Sequence, residues 1–237
     1  MEPRMDQRLA HGRVGTQDID VGLRSHMLSV YNYMGLALAL TGLTAFVTAN
    51  TPAMVQLIFG TPLQWVVMLA PLGFVFFLAA KVRNMSLSAT QVTFWAFAVA
   101  MGLSLSSIFL VFTGASIARV FFITAGTFGA MSLYGYTTNR DLSKFGSFLF
   151  MGLIGVILAM IVNIFLASTA LQFAISVIGV LVFTGLTAYD SQRIKEEYNE
   201  LADHESMGKL AVMGALSLYL NFINLFVMLM HLFGNRE

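Results

Sequence analysis

The chain has 237 residues, 57% of them hydrophobic and only 11% charged, with a formal net charge of +1. So few charges cannot cover the surface of a water-soluble protein of this length, and several apolar runs reach the roughly 20 residues that cross a bilayer. The near-neutral balance offers nothing to nucleic acid, and the lack of cysteine excludes disulfides, thiolate chemistry and Cys-ligated metal.

Residues 1–26 read as a polar tail. They mix Arg4, Arg8, Arg13 and Arg24 with Glu2, Asp6, Asp18 and Asp20, lack the apolar core of a signal peptide, and are expected to be helical only near their end. The first span is expected over about 27–49, with Tyr31 and Tyr33 as interface anchors. An uncharged loop with Pro52, Gly60 and Pro62 leads to a second span over about 64–80. Pro71 and Gly73 break its middle and allow a kink, and Lys81 and Arg83 close it. The third span is expected over 88–112 and the fourth over 120–133, opened by Arg119. A polar connector from Gly135 to Lys144 leads to the fifth span over 148–167, the sixth over 171–189 and the seventh over 210–232. The fold class is thus all-α: a tail, 1–26, and one seven-helix membrane domain, 27–233.

Alternating the loops across the bilayer segregates the basic residues. Arg4, Arg8, Arg13, Arg24, Lys81, Arg83, Arg140, Lys144, Arg193, Lys195 and Lys209 fall on one side, and only Arg119 and Arg236 on the other. Cytoplasmic loops carry the excess of Lys and Arg, so the N-terminus is expected inside and the C-terminus outside. Small residues one turn apart, Gly126 with Ala130, Gly152 with Val156 and Gly155 with Ala159, are candidates for close helix packing.

Asp190 stands out. It follows an uncharged run from Leu171 to Tyr189 and is the one acidic residue that adjoins a long apolar segment. An ionisable group at membrane depth is costly to keep and marks a candidate functional site. Thr184, Thr187 and Asp190 are spaced by three, as are Asn221 and Asn224 on the next span, so two polar stripes face each other or line a wet cavity; hydrogen bonding between helices without transport is the alternative. Asn163 is the polar residue of the fifth span. Lys81 or Arg83 could pair with Asp190, or simply snorkel to the interface. Arg140 and Asp141 read as a loop ion pair, and Glu196, Glu197, Glu200, Asp203 and Glu205 as a solvated acidic cluster. The four histidines show no ligand spacing. No hydrolase, phosphate-loop or dinucleotide motif is present, and a lone Asp190 lacks the second acid of an aspartyl protease, so neither an enzyme nor a cofactor is expected.

Three segments carry a resemblance: Gly135-Tyr136-Thr137-Thr138 with Arg140-Asp141-Leu142, Gly185-Leu186-Thr187-Ala188-Tyr189-Asp190, and Leu218-Tyr219-Leu220-Asn221-Phe222-Ile223-Asn224-Leu225-Phe226. Together they resemble the Bax inhibitor-1, or transmembrane Bax inhibitor motif, family, and the short loops resemble a bacterial member. The resemblance implies a central seventh helix and a pH-sensitive calcium leak. It implies a carboxylate ending helix six, here Asp190, paired with a second carboxylate on helix seven, and a basic latch on helix two, here Lys81 or Arg83. The second carboxylate falls on Asn221, where this chain departs from the pattern. Two carboxylates in contact cannot both ionise cheaply, and an Asp–Asn pair lacks that repulsion. It also offers one charge fewer to Ca2+, which prefers several oxygen ligands. A weaker leak, or one less sensitive to pH near neutrality, is therefore expected. The leading reading is a cation leak channel or exchanger of the inner membrane. Ca2+ or protons would be its ions, Asp190 its gate and transient Ca2+ contact, Asn221 the partner of Asp190, and Thr187 and Asn224 its polar lining. The rival reading is a modulator of another membrane protein, such as an ATP-dependent membrane protease, bound through the tail and the acidic loop 196–205.

Overall fold

The structure, a computed structural model, describes residues 3–198 and 203–236, with side chains from Val21 onward. Among the described residues it has eight α-helices: α1 Pro3–Ala49, α2 Pro52–Phe59, α3 Leu63–Lys81, α4 Leu87–Val111, α5 Gly114–Thr137, α6 Ser143–Leu166, α7 Thr169–Glu196 and α8 His204–Phe233. All but the short α2 contain a stretch long and apolar enough to cross a membrane, which makes seven spans. The side chains of the tail up to Asp20, and Glu200 of the acidic cluster, lie outside the described residues.

The helices start where short polar residues can receive orphan backbone N–H groups. Ser86 accepts from Ala89 N at the head of α4, Thr113 from Ser116 N at α5, Ser168 from Leu171 N at α7 and Asp203 from Ser206 N at α8. Two features differ from the sequence reading. Helix α1 already includes most of the tail, and α3 runs through Pro71 without a break in its assignment. A membrane span makes every internal backbone bond valuable, and the turn before Pro71 absorbs one missing donor.

Helix α8 is the axis of the bundle. Apolar on almost every side, it is mostly buried and packs against α1, α4, α5 and α7. The outer helices are held differently: α3 packs mainly on α4, and α6 on α7. The α3–α6 side of the bundle is therefore not closed by helix packing. Tyr219 lies fully buried at the centre of α8, donates to Thr41 Oγ1 at 2.7 Å, and packs edge-on against Phe97. Thr41 passes its own proton to the Ala98 carbonyl at 2.8 Å, so α1, α4 and α8 are pinned together in a fully satisfied network.

Of the predicted small-residue pairs, Gly152 with Val156 lies at a helix contact, while the closest approach falls on another glycine. Gly126 and Gly155 face open space, whereas Gly152 meets Val182 of α7. The tightest approach to a neighbouring backbone is Gly135 on α5, where any Cβ would overlap the Ala188 carbonyl of α7. Lipid-facing small residues cost nothing, so spacing alone does not say which face is an interface.

Candidate functional site

Helix α7 does not end at Asp190, as the charge boundary predicts; it continues to Glu196. The added turns are fastened by the residues that surround Asp190 in the sequence. Gln192 Oε1 accepts from Leu142 N at 2.9 Å and its Nε2 donates to the Arg140 carbonyl at 2.8 Å, so one amide clasps the α5–α6 connector. Lys195 Nζ donates to the Tyr136 carbonyl at 3.0 Å. Ser191 donates to the Thr187 carbonyl and receives from Ser132, which receives from Tyr31 at 2.6 Å, joining α7 to α5 and α1. With Gly135 seated on Ala188, these bonds hold the Asp190 backbone between α5 and α6.

Asp190 is 6% exposed. Its Oδ2 accepts from Asn221 Nδ2 at 2.7 Å and from Ser217 Oγ at 2.8 Å; its Oδ1 lies 3.3 Å from a guanidinium nitrogen of Arg193. A buried carboxylate survives only if its lone pairs are met, and two neutral donors and one cation meet them here. The predicted Asp190–Asn221 pair is therefore in contact. The two residues reach the same depth because α8 starts early. Its first turns run past the end of α7, so that Gly208 abuts Leu87 at the head of α4 and Gly214 abuts Ile194. Sequence reasoning missed Ser217 and Arg193. Both were legible by spacing: Arg193 is one turn beyond Asp190, and Ser217 one turn before Asn221.

A cavity of about 1100 Å³ opens on this carboxylate. Its walls are Met68, Leu72 and Phe76 of α3 and Phe150, Leu153 and Ile157 of α6, and its polar strip is Arg193, Asp190, Ser217, Asn221 and Asn224. Asn224 thus lines the cavity as predicted, one turn deeper than Asn221. Thr187 does not. It is fully buried and donates to the Phe183 carbonyl of its own helix, because the α7 face that carries it is packed rather than open. Beyond Asn224, Met228 covers Gly179 and closes the space between α7 and α8.

Lys81 and Arg83 are exposed at the end of α3 and the turn after it, and neither is ion-paired to any of the described residues. The cation beside Asp190 comes from its own helix, where a separation of three residues gives proximity without bringing α3 inward. The expected Arg140–Asp141 pair is also absent; Asp141 Oδ1 accepts from Ser143 N at 2.8 Å, and this bond holds its carboxyl below the usual range. In the acidic cluster, Glu197 lies 3.4 Å from Arg193 Nε, Glu205 lies 2.9 Å from Lys209, and Asp203 caps α8. Among the described residues no three His, Asp or Glu side chains gather as a metal site. A second polar cluster sits at the other end of α7 and α8. Asn163 donates to Gln172 Oε1 at 3.2 Å, and Gln172 Nε2 lies 3.1 Å from His231 Nδ1 and within reach of Ser176.

Seven apolar spans, one of them a buried axial helix, with a carboxylate lining the cavity between them, define a polytopic helical membrane protein. The chain belongs to the Bax inhibitor-1 family. The family described as Inhibitor of apoptosis-promoting Bax1 matches residues 23–237. It is 48% identical to the inner membrane protein YbhL of Escherichia coli K12 over 219 residues, covering 91% of this chain and 94% of YbhL. It is 50% identical to an uncharacterized protein of Rickettsia prowazekii over 218 residues, 92% of each chain. A membrane protein of Streptococcus pyogenes serotype M3 is 32% identical over 221 residues, 92% of this chain and 96% of that one.

Proposed function

We propose that this protein is a cation leak pathway of the inner membrane, with Asp190 as its gate and ion contact and Ca2+ as its expected ion. One observation carries the reading: the buried carboxylate ends a polar strip at the base of a large cavity, and its donors come from α8, the bundle axis. That the Asp190 carboxylate lines this cavity, rather than being enclosed by apolar side chains alone, supports the reading. Ca2+ would meet the Asp190 carboxylate and the Asn221 and Ser217 oxygens and would keep much of its water, a weakly bound state suited to passage rather than storage. The excess of Lys and Arg at the Asp190 end supports a cytoplasmic N-terminus for this reading.

The test is Ca2+ entry into liposomes carrying the full-length protein, from pH 6 to 8, beside Asp190→Ala. The expected result is flux that falls at least tenfold in the variant. Equal flux in both proteins and in empty liposomes would remove the leak reading and leave a modulator of another membrane protein, bound through the tail, as the function to pursue.

A further inference from the structure

The Asp190 site contains its own cation. Arg193 is permanently charged, and its guanidinium is shared among four groups. One terminal nitrogen lies 3.3 Å from Asp190 Oδ1 and 3.3 Å from Ser217 Oγ, Nε lies 3.4 Å from Glu197 Oε1, and the head sits 5.9 Å from the Tyr189 ring centroid. None of these contacts is tight. Charge-assisted N–H···O bonds settle near 2.7–2.9 Å, and Arg193 Nε is buried without an aligned hydrogen-bond partner. The guanidinium is thus suspended between two carboxylates one turn to either side, Asp190 on α7 and Glu197 just past its end.

Its location gives that suspension a consequence. Arg193 lines the large cavity together with Asp190, and it also lines a smaller one of about 360 Å³ that contains Glu197, Met213 and Gly214 but not Asp190. It is the charged part of the wall between the two. Asp190 Oδ2 is already occupied by Ser217 and Asn221, so Oδ1 is the oxygen left for an incoming cation, and Arg193 stands on it. With Asn221 neutral, Asp190 and Arg193 cancel, and the strip has no net charge to attract a divalent ion.

We propose that Arg193 is the resident counter-ion of this site: it occupies the cation position on Asp190, and its transfer to Glu197 vacates that position and opens the passage. This rests on the cation reading of the Asp190 site. It makes Arg193 a gating and positioning residue and Glu197 its second resting place. No bond is made or broken; the guanidinium moves from one carboxylate to another across its own width.

The experiment measures Ca2+ binding by titration calorimetry on the full-length protein in detergent, and Ca2+ flux in liposomes, for the parent, Arg193→Gln, Arg193→Lys, Glu197→Gln and the double variant Arg193→Gln with Asp190→Ala. Arg193→Gln should bind Ca2+ about tenfold more tightly and leak faster, the gain being moderated because the pair is partly exposed and screened. Arg193→Lys should return toward the parent, and the double variant should lose the gain. Glu197→Gln, at an exposed position that folding tolerates, should hold Arg193 on Asp190 and lower flux severalfold. Unchanged or weaker Ca2+ binding in Arg193→Gln, a gain that survives removal of Asp190, or unchanged flux in Glu197→Gln would each overturn the proposal. Binding is read without transport, so if the leak itself fails, with the parent and Asp190→Ala alike, the calorimetry still decides the role of Arg193.

Discussion

Helices α7 and α8 carry a polar cluster at each end, and the two are built from different chemistry. At one end Asp190, Arg193, Ser217 and Asn221 form a charged group with one oxygen held only loosely, open to a cavity of about 1100 Å³. At the other, Asn163, Gln172, Ser176 and His231 form a chain of amides, hydroxyl and imidazole, with the Asn163 carbonyl also receiving Ser168 N at 3.0 Å to finish the α6–α7 turn. Met228 over Gly179 separates them. The difference teaches how a membrane bundle divides its polar groups. Neutral groups bonded to one another fasten helices, whereas a carboxylate kept beside a cavity bears a desolvation cost that packing alone does not explain.

The sharpest way to press that contrast is Asn221→Asp. It places a second carboxylate 2.7 Å from Asp190 Oδ2, where the parent has a donor. Two such carboxylates share a proton near neutral pH, so Ca2+ flux should acquire a steep dependence between pH 6 and 8, with a change of about tenfold across it. An unchanged pH profile in the flux assay would deny Asn221 its role. A smaller effect is expected at the far cluster. Gln172→Leu removes the acceptor of the Asn163 NH2 group and the neighbour of His231 Nδ1 and should cost about 1 kcal/mol of stability by thermal melting in detergent, while flux stays within about twofold. A loss of flux as deep as that of Asp190→Ala would join the two clusters into one path and end the contrast.

The smallest effect lies outside both clusters. The Ser206 side chain and backbone hold the Asp203 carboxyl below the usual carboxylate range where it caps α8. A depressed folded value means that this stabilisation is present above about pH 4 and lost as pH falls through the folded value. Thermal melts of Asp203→Asn and the parent should therefore differ slightly at pH 6 and converge in strong acid. A gap that persists in acid would assign the cap to hydrogen bonding alone.

Much of this molecule was legible in the chain. Charge-free runs between basic loops determined the seven spans, because the bilayer admits helices of one length and few charges. Spacing marked Asp190 and Asn221, and the family pattern paired them. What the chain did not disclose are relations between helices. That α7 runs on past Asp190 is decided by Gln192 and Lys195 bonding the α5–α6 connector and the end of α5, partners fifty or more residues away. That Thr187 is packed while Asn224 meets the cavity depends on which faces α3 and α6 leave uncovered. The cation beside Asp190 is not Lys81 or Arg83 but Arg193, because the early start of α8 brings Ser217 alongside and the guanidinium lies between Asp190 and Glu197, one turn to either side of it. Hydrophobicity along the chain is a local property and sets where the helices are. Which oxygen of a buried carboxylate is left to a loosely held cation is a property of two helices at once, and only their packing decides it.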